Sequence, residues 1–158
     1  MLVTMFTDAS LIAATASGGW AMWAKSERGV VRYSGPLKGR CFNSGEVELK
    51  AIANALDVLV RSDVCEPGDQ VLVAAGNLQA LACVLPPRTV TMCHGMSRAA
   101  EMIDQTRLKY QLELRTRHIK AHSGTHEPRL WVHDQCDRRA REAARLLHAE
   151  RGKGWHHA

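Results

Sequence analysis

Apolar and polar positions follow two periods along this chain, and the switches between them mark its elements. Leu2-Val3-Thr4-Met5-Phe6-Thr7 is an apolar run closed by Asp8, the form of a buried strand with an acid at its end. From Gly19 to Ala24, Trp20, Met22 and Ala24 alternate with Ala21 and Trp23, and Ser26-Glu27-Arg28-Gly29 reads as a turn into a third strand, Gly29 to Ser34. Leu49, Ile52, Ala53 and Leu56 recur at helical spacing within Ser44 to Arg61. Pro67-Gly68 introduces a fourth strand, Gln70 to Ala74, and Pro86-Pro87 stops a helix over Asn77 to Val84. Ser97 to Tyr110 reads as a helix and Gln111 to Lys120 as a strand. A last helix over Val132 to Arg151 carries Cys136, Ala140, Ala143, Ala144 and Leu147 on one stripe. The order β-β-β-α-β-α-α-β-α predicts an α/β fold, a mixed five-stranded sheet flanked by helices on both faces.

Length narrows this to one domain, because 158 residues bury a single core. Its expected bounds are 1–151, with 152–158 as a basic tail. Hydrophobic residues make up 46% and charged ones 23%, an ordinary globular balance with no run long enough to span a bilayer. The N-terminus lacks the basic start and apolar length of a signal peptide, which predicts a cytoplasmic protein. Five cysteines without a Cys-x-x-Cys pair read as reduced thiols. His118, His122 and His126 recur every four residues, but Gly124 and Pro128 interrupt any helix through them, so a zinc site is disfavoured. The net charge of +5 suits a polyanionic partner.

Three acids stand where such a fold would gather them. Asp8 ends the first strand, Glu48 lies early in the first helix beside its apolar stripe, and Asp137 lies near the start of the last helix. Each has an ordinary alternative as a capping or dipole-compensating acid. Asp134 competes with Asp137, since it suits the helix cap, and Glu46 reads as a solvated charge.

The segments around these acids resemble ribonuclease H of type 1, the endonucleases that cut the RNA strand of RNA/DNA hybrids. Thr7-Asp8-Ala9-Ser10 through Gly18-Gly19-Trp20 is similar to the family's Asp-Gly-Ser to Gly-Gly-aromatic segment. Glu48-Leu49 with Ala51 and Ala55-Leu56 is similar to its Glu-Leu helix, and Ile119-Lys120-Ala121-His122-Ser123-Gly124 to its Val-Lys-Gly-His-Ser-Gly loop. Cys136-Asp137 with Ala140 resembles its closing Cys-Asp-x-x-Ala helix.

The resemblance implies an RNase H-like fold and a hydrolase using Mg²⁺, with Mn²⁺ as a substitute. Asp8 would bridge two ions, Glu48 and Asp137 would complete their shells, and His122 would assist proton transfer or product release. Ala9, Ser10, Ala14 and Ser44 fall on positions that meet nucleic acid. RNA/DNA hybrid is the implied partner of a monomer, alone or within a replication or repair assembly.

One acid of the family pattern is absent. Counting from the fourth strand puts Gly76 in its place, whereas matching the following Gln-Ala run puts Asn77 there, whose neutral oxygen is a candidate metal ligand. The basic protrusion of long family members is also missing, because Pro86 to Met96 holds one basic side chain, Arg88. Two alternatives follow: a weak or inactive nucleic-acid-binding module, and a DNA-directed nuclease or transposase-like domain built on the same acids.

Overall fold

The computed structural model describes residues 1–120 and 128–155. Among them the sheet comprises β1 (Leu2–Ile12), β2 (Ser17–Ser26), β3 (Gly29–Pro36), β4 (Gln70–Ala75) and β5 (Glu113–His118). The helices are α1 (Ser44–Arg61), α2 (Leu78–Ala82), α3 (His94–Lys109) and α4 (Pro128–Trp155). Strand order is β3-β2-β1-β4-β5. β1, β2 and β3 form an antiparallel meander, while β4 pairs parallel with both β1 and β5.

The main core lies on the α1 side of the sheet, where Leu49, Ile52, Leu56 and Leu59 of α1 meet Val3, Met5, Met22, Val71 and Val73. On the opposite face α4 covers Phe6, Ala21, Ala74 and Ile119 with Val132, Cys136 and Ala140. Small residues let α4 approach closely. A Cβ on Gly19 would collide with the Ala140 carbonyl oxygen and the Ala144 nitrogen, so strand and helix backbones meet with no side chain between them.

Several boundaries differ from the sequence reading. β1 does not end at Asp8 but runs on to Ile12, because Ala9, Ser10 and Leu11 continue the ladder opposite Trp20, Gly19 and Gly18. Ala14 lies in a single 3-10 turn, Ala13–Thr15, between the paired strands. The last helix starts at Pro128, a residue suited to a first turn because it has no N–H to satisfy. Asp134 and Asp137 therefore lie inside α4, and neither caps its start. The helix also continues through Trp155, past the expected break at Arg151. There the Arg151 guanidinium donates to the carbonyls of Thr15, Ala16 and Gly39 and so ties α4 to the β1–β2 turn and to the β3–α1 connection.

Glu46 is not a solvated charge. Its carboxylate is buried and accepts from the Phe42 N–H at 2.7 Å, with Lys50 Nζ at 3.4 Å. A Cβ on Gly95 of α3 would collide with it, so the acid is a packed part of the α1–α3 contact. All five cysteines are free, with only Cys93 exposed. Among the described residues, no helix is long and apolar enough to cross a membrane.

Candidate active site

Asp8 is buried on the α4 side of β1, in the middle of the strand. Its Oδ1 accepts from the Ala9 N–H at 2.9 Å. Glu48 reaches it from α1, whose N-terminus is set by Asn43: the Asn43 side chain accepts from the Glu46 N–H at 2.8 Å. The two carboxyl groups are close enough to hydrogen bond.

Burial raises both acids, and each feels the other's charge. Glu48 is pushed up to about 9, first by burial and then by Asp8. Asp8 is also raised by burial, an effect opposed chiefly by the nearby His133. Without a cation the pair therefore holds a proton at neutral pH, placed on Glu48. Its Oε2 is buried with no hydrogen-bond partner.

Asp137 lies in electrostatic reach of both acids, but its carboxylate pairs with Arg141 one turn along α4, at 3.2 Å. It is more than a third exposed, so it forms the outer edge of the site. Beside Asp8 lies Cys136, whose thiol is pushed up to about 12 by burial and stays protonated. Asp134 is exposed.

The position of the missing acid is resolved by strand register. Phe6 pairs with Ala74 across the parallel β1–β4 ladder, so two residues further on Asp8 comes level with Gly76. Asn77 instead caps α2, its Oδ1 accepting from the Ala80 N–H at 2.8 Å. The expected metal ligand is thus engaged with its own helix. His118, the last residue of β5, has its Nε2 3.2 Å from the Gly76 carbonyl. His122 lies outside the described residues. Ala9 and Ser10 are half-buried, and Ala14 and Ser44 are exposed.

Sequence reasoning missed two features here. His133 of α4 is buried with Nε2 4.0 Å from Asp8 Oδ2; the signal was its i,i+4 spacing from Asp137, which puts both on one helix face. The second is a groove of about 820 Å³ between the β3–α1 connection and α3, lined by Tyr33, Lys38, Arg40, Phe42, Lys50 and Arg98 among others. Phe42 is 75% exposed at its rim.

Among the described residues, no group of three or more His, Cys, Asp or Glu is preassembled around a metal position. The donor set nonetheless suits a hard cation. Two carboxyl groups face each other, one oxygen is orphaned, and the repulsion that raises both is what a divalent ion relieves.

The family model for RNase H matches residues 2–145. This chain belongs to the RNase H family. No curated protein sequence matches it. The N-terminal RNase H domain of Rv2228c from Mycobacterium tuberculosis, solved as a fusion with maltose-binding protein, superposes with a TM-score of 0.72 at 10% identity, over 94% of this chain and 97% of that one. RNase H1 from the halophilic archaeon Halobacterium salinarum NRC-1 gives 0.68 at 13% identity, over 90% and 97%. LC11-RNase H1, from compost metagenomic material and solved with RNA/DNA hybrid, gives 0.69 at 15% identity, over 92% and 98%. At these identities the likeness is one of fold, and the mixed five-stranded sheet flanked by helices is the fold shared.

Proposed function

We propose that this chain is a metal-dependent endonuclease that hydrolyses the RNA strand of RNA/DNA hybrids. Membership of the RNase H family supports a nuclease in general. The observation that carries the finer reading is the Asp8–Glu48 pair, two carboxyl groups brought together from β1 and α1 with the Glu48 Oε2 buried and orphaned. Asp8 and Glu48 would hold the ion, with Asp137 at the edge. A bound divalent ion supplies Lewis-acid activation of water and neutralises charge on the scissile phosphate.

The chain's own residues do the rest. The Ala9 N–H fixes the Asp8 carboxylate, and Glu48 carries a proton that it gives up when a cation arrives. Lys38, Arg40 and Arg98 place positive charge along the neighbouring groove, with Phe42 and Tyr33 as apolar surface for a sugar or base. This groove supports hybrid binding where the basic protrusion of longer relatives is absent.

Gly76 removes one carboxylate from the family's pattern, so cleavage should be weak with Mg²⁺. The same feature, with Asp137 held by Arg141, favours a second reading: a binding module that recognises hybrid without cutting it. One assay separates them. Labelled hybrid is incubated with the parent, Asp8→Asn and Gly76→Asp chains in Mg²⁺ or Mn²⁺, and binding is titrated across salt concentrations. The nuclease reading expects slow cleavage by the parent, none by Asp8→Asn, and a gain of tenfold or more in Gly76→Asp. It also expects affinity to fall as salt rises. No cleavage by the parent or by Gly76→Asp, with binding intact, decides for the module.

A further inference from the structure

The place of the missing acid is bordered by His133. A Cβ built on Gly76 would lie 3.5 Å from His133 Nε2, in van der Waals contact with the imidazole. His133 is 8% exposed, and its Nε2 is buried without a hydrogen-bond partner. That nitrogen is 4.0 Å from Asp8 Oδ2, too far for a direct hydrogen bond. Leaving a buried polar nitrogen unpaired costs its desolvation without return. An imidazole held this way, with Glu48 Oε2 unpaired on the other neighbour of Asp8, is aimed at something the protein itself does not supply.

We propose that His133 is the third protein donor of the cation site, replacing the carboxylate lost at position 76. The donor set is then Asp8, Glu48 and His133, holding one divalent ion. This rests on the metal-dependent reading of the Asp8–Glu48 pair above. Two donors bound about 2.0–2.2 Å from one ion stand roughly 3–4 Å apart. The 4.0 Å separation of His133 Nε2 and Asp8 Oδ2 therefore needs only a small side-chain adjustment to close. Glycine at 76 offers no side-chain oxygen of its own, which leaves the imidazole as the donor at that side of Asp8.

The exchange changes which ion is favoured. Mg²⁺ prefers an all-oxygen shell, whereas imidazole nitrogen suits later transition metals and is accepted by Mn²⁺. Asp137, one turn beyond His133, is turned to Arg141 and does not restore the oxygen lost.

The test uses the full chain without nucleic acid. Mn²⁺ and Mg²⁺ are each titrated calorimetrically into the parent, Asp8→Asn, His133→Asn and Gly76→Asp/His133→Asn. The parent should bind Mn²⁺ at least tenfold more tightly than Mg²⁺. His133→Asn should lose roughly tenfold or more in Mn²⁺ affinity with little change for Mg²⁺, and the double variant should regain affinity for Mg²⁺. If His133→Asn keeps the parent's Mn²⁺ affinity while Asp8→Asn abolishes it, His133 is no ligand and the metal-dependent reading stands. If the parent binds neither ion, both fall. A second readout survives a variant that folds poorly: electron spin-echo modulation of Mn²⁺ bound to the parent should show a directly coordinated ¹⁴N that persists in His122→Asn. Absence of that nitrogen, or its loss in His122→Asn, overturns the proposal.

Discussion

Replacing Glu48 by Gln would remove a charge penalty while leaving the shape of the site almost unchanged. In the folded chain Glu48 is raised from 4.5 to about 9 by burial and by Asp8. Folding therefore takes up a proton wherever the unfolded carboxyl has already lost its own. The stability contributed by the protonated group is complete below about pH 4.5 and is lost progressively as pH rises toward 9. At 1.36 kcal/mol per pH unit, the three units from 4.5 to 7.5 set a ceiling of about 4 kcal/mol. Water entry and local relaxation relieve part of any buried charge, which leaves roughly 1–2 kcal/mol for Gln to recover. For a chain of this size that corresponds to a melting temperature higher by about 2–8 °C.

The assay is thermal unfolding followed by circular dichroism in EDTA, from pH 4.5 to pH 9. Glu48→Gln should match the parent at the acid end and exceed it increasingly above neutrality. Added Mn²⁺ should stabilise the parent and not the variant, because only the parent keeps both carboxylates. An equal melting temperature at every pH, or a variant less stable at pH 7.5, would refute the claim that Asp8 and Glu48 repel each other in a buried site.

Three other substitutions test separate parts of the structure. Gly19→Ala places a methyl group against the α4 backbone at Ala140 and Ala144, and should cost about 3 kcal/mol or prevent folding, read by urea titration against the parent. Asn77→Ala removes the cap of α2 and should cost about 1 kcal/mol without changing metal affinity, whereas Asn77→Asp should keep the cap; a metal affinity that falls in Asn77→Ala would return this residue to the site. Asp69 is held down to about 2, chiefly by Arg28, which donates to it at 2.6 Å. Its folded value lies below the unfolded one of 3.8, so its stabilisation is present above that pH and lost as pH falls toward 2. Asp69→Asn should therefore lower the melting temperature at pH 7, and the gap should close on acidification.

Where an element's own residues decide its limits, the sequence was enough. α1 runs from Ser44 to Arg61 as its apolar stripe predicted, since Asn43 caps it locally and the stripe packs as one face. β1 was read too short because Asp8, Ala9 and Ser10 look like a strand's end, yet the ladder to β2 carries the backbone on to Ile12. That ladder is a contact between strands, invisible to local pattern. Glu46 was misread for a similar reason. Its burial comes from Gly95 of α3, some fifty residues away, and nothing near it in sequence signals the close approach.

The candidate site was proposed from sequence as three acids, of which the structure draws Asp8 and Glu48 together and leaves Asp137 at the edge, paired with Arg141. Sequence offered Gly76 and Asn77 as equal claimants, and only the parallel pairing of Phe6 with Ala74 brings Gly76 level with Asp8. With that register known, a side chain at 76 would start in van der Waals contact with the ring of His133. An acid is absent just after β4, and a base on α4 stands next to its place. Two raised carboxyl groups remain beside that base, while Asp137 has its own partner in Arg141. Such a centre repels itself less than four carboxylates would, and so it gains less from a second cation. Under the proposed function, hybrid cleavage should accordingly follow the number of oxygen donors around Asp8, rising when one is added at position 76 and unmoved when one is added at 77.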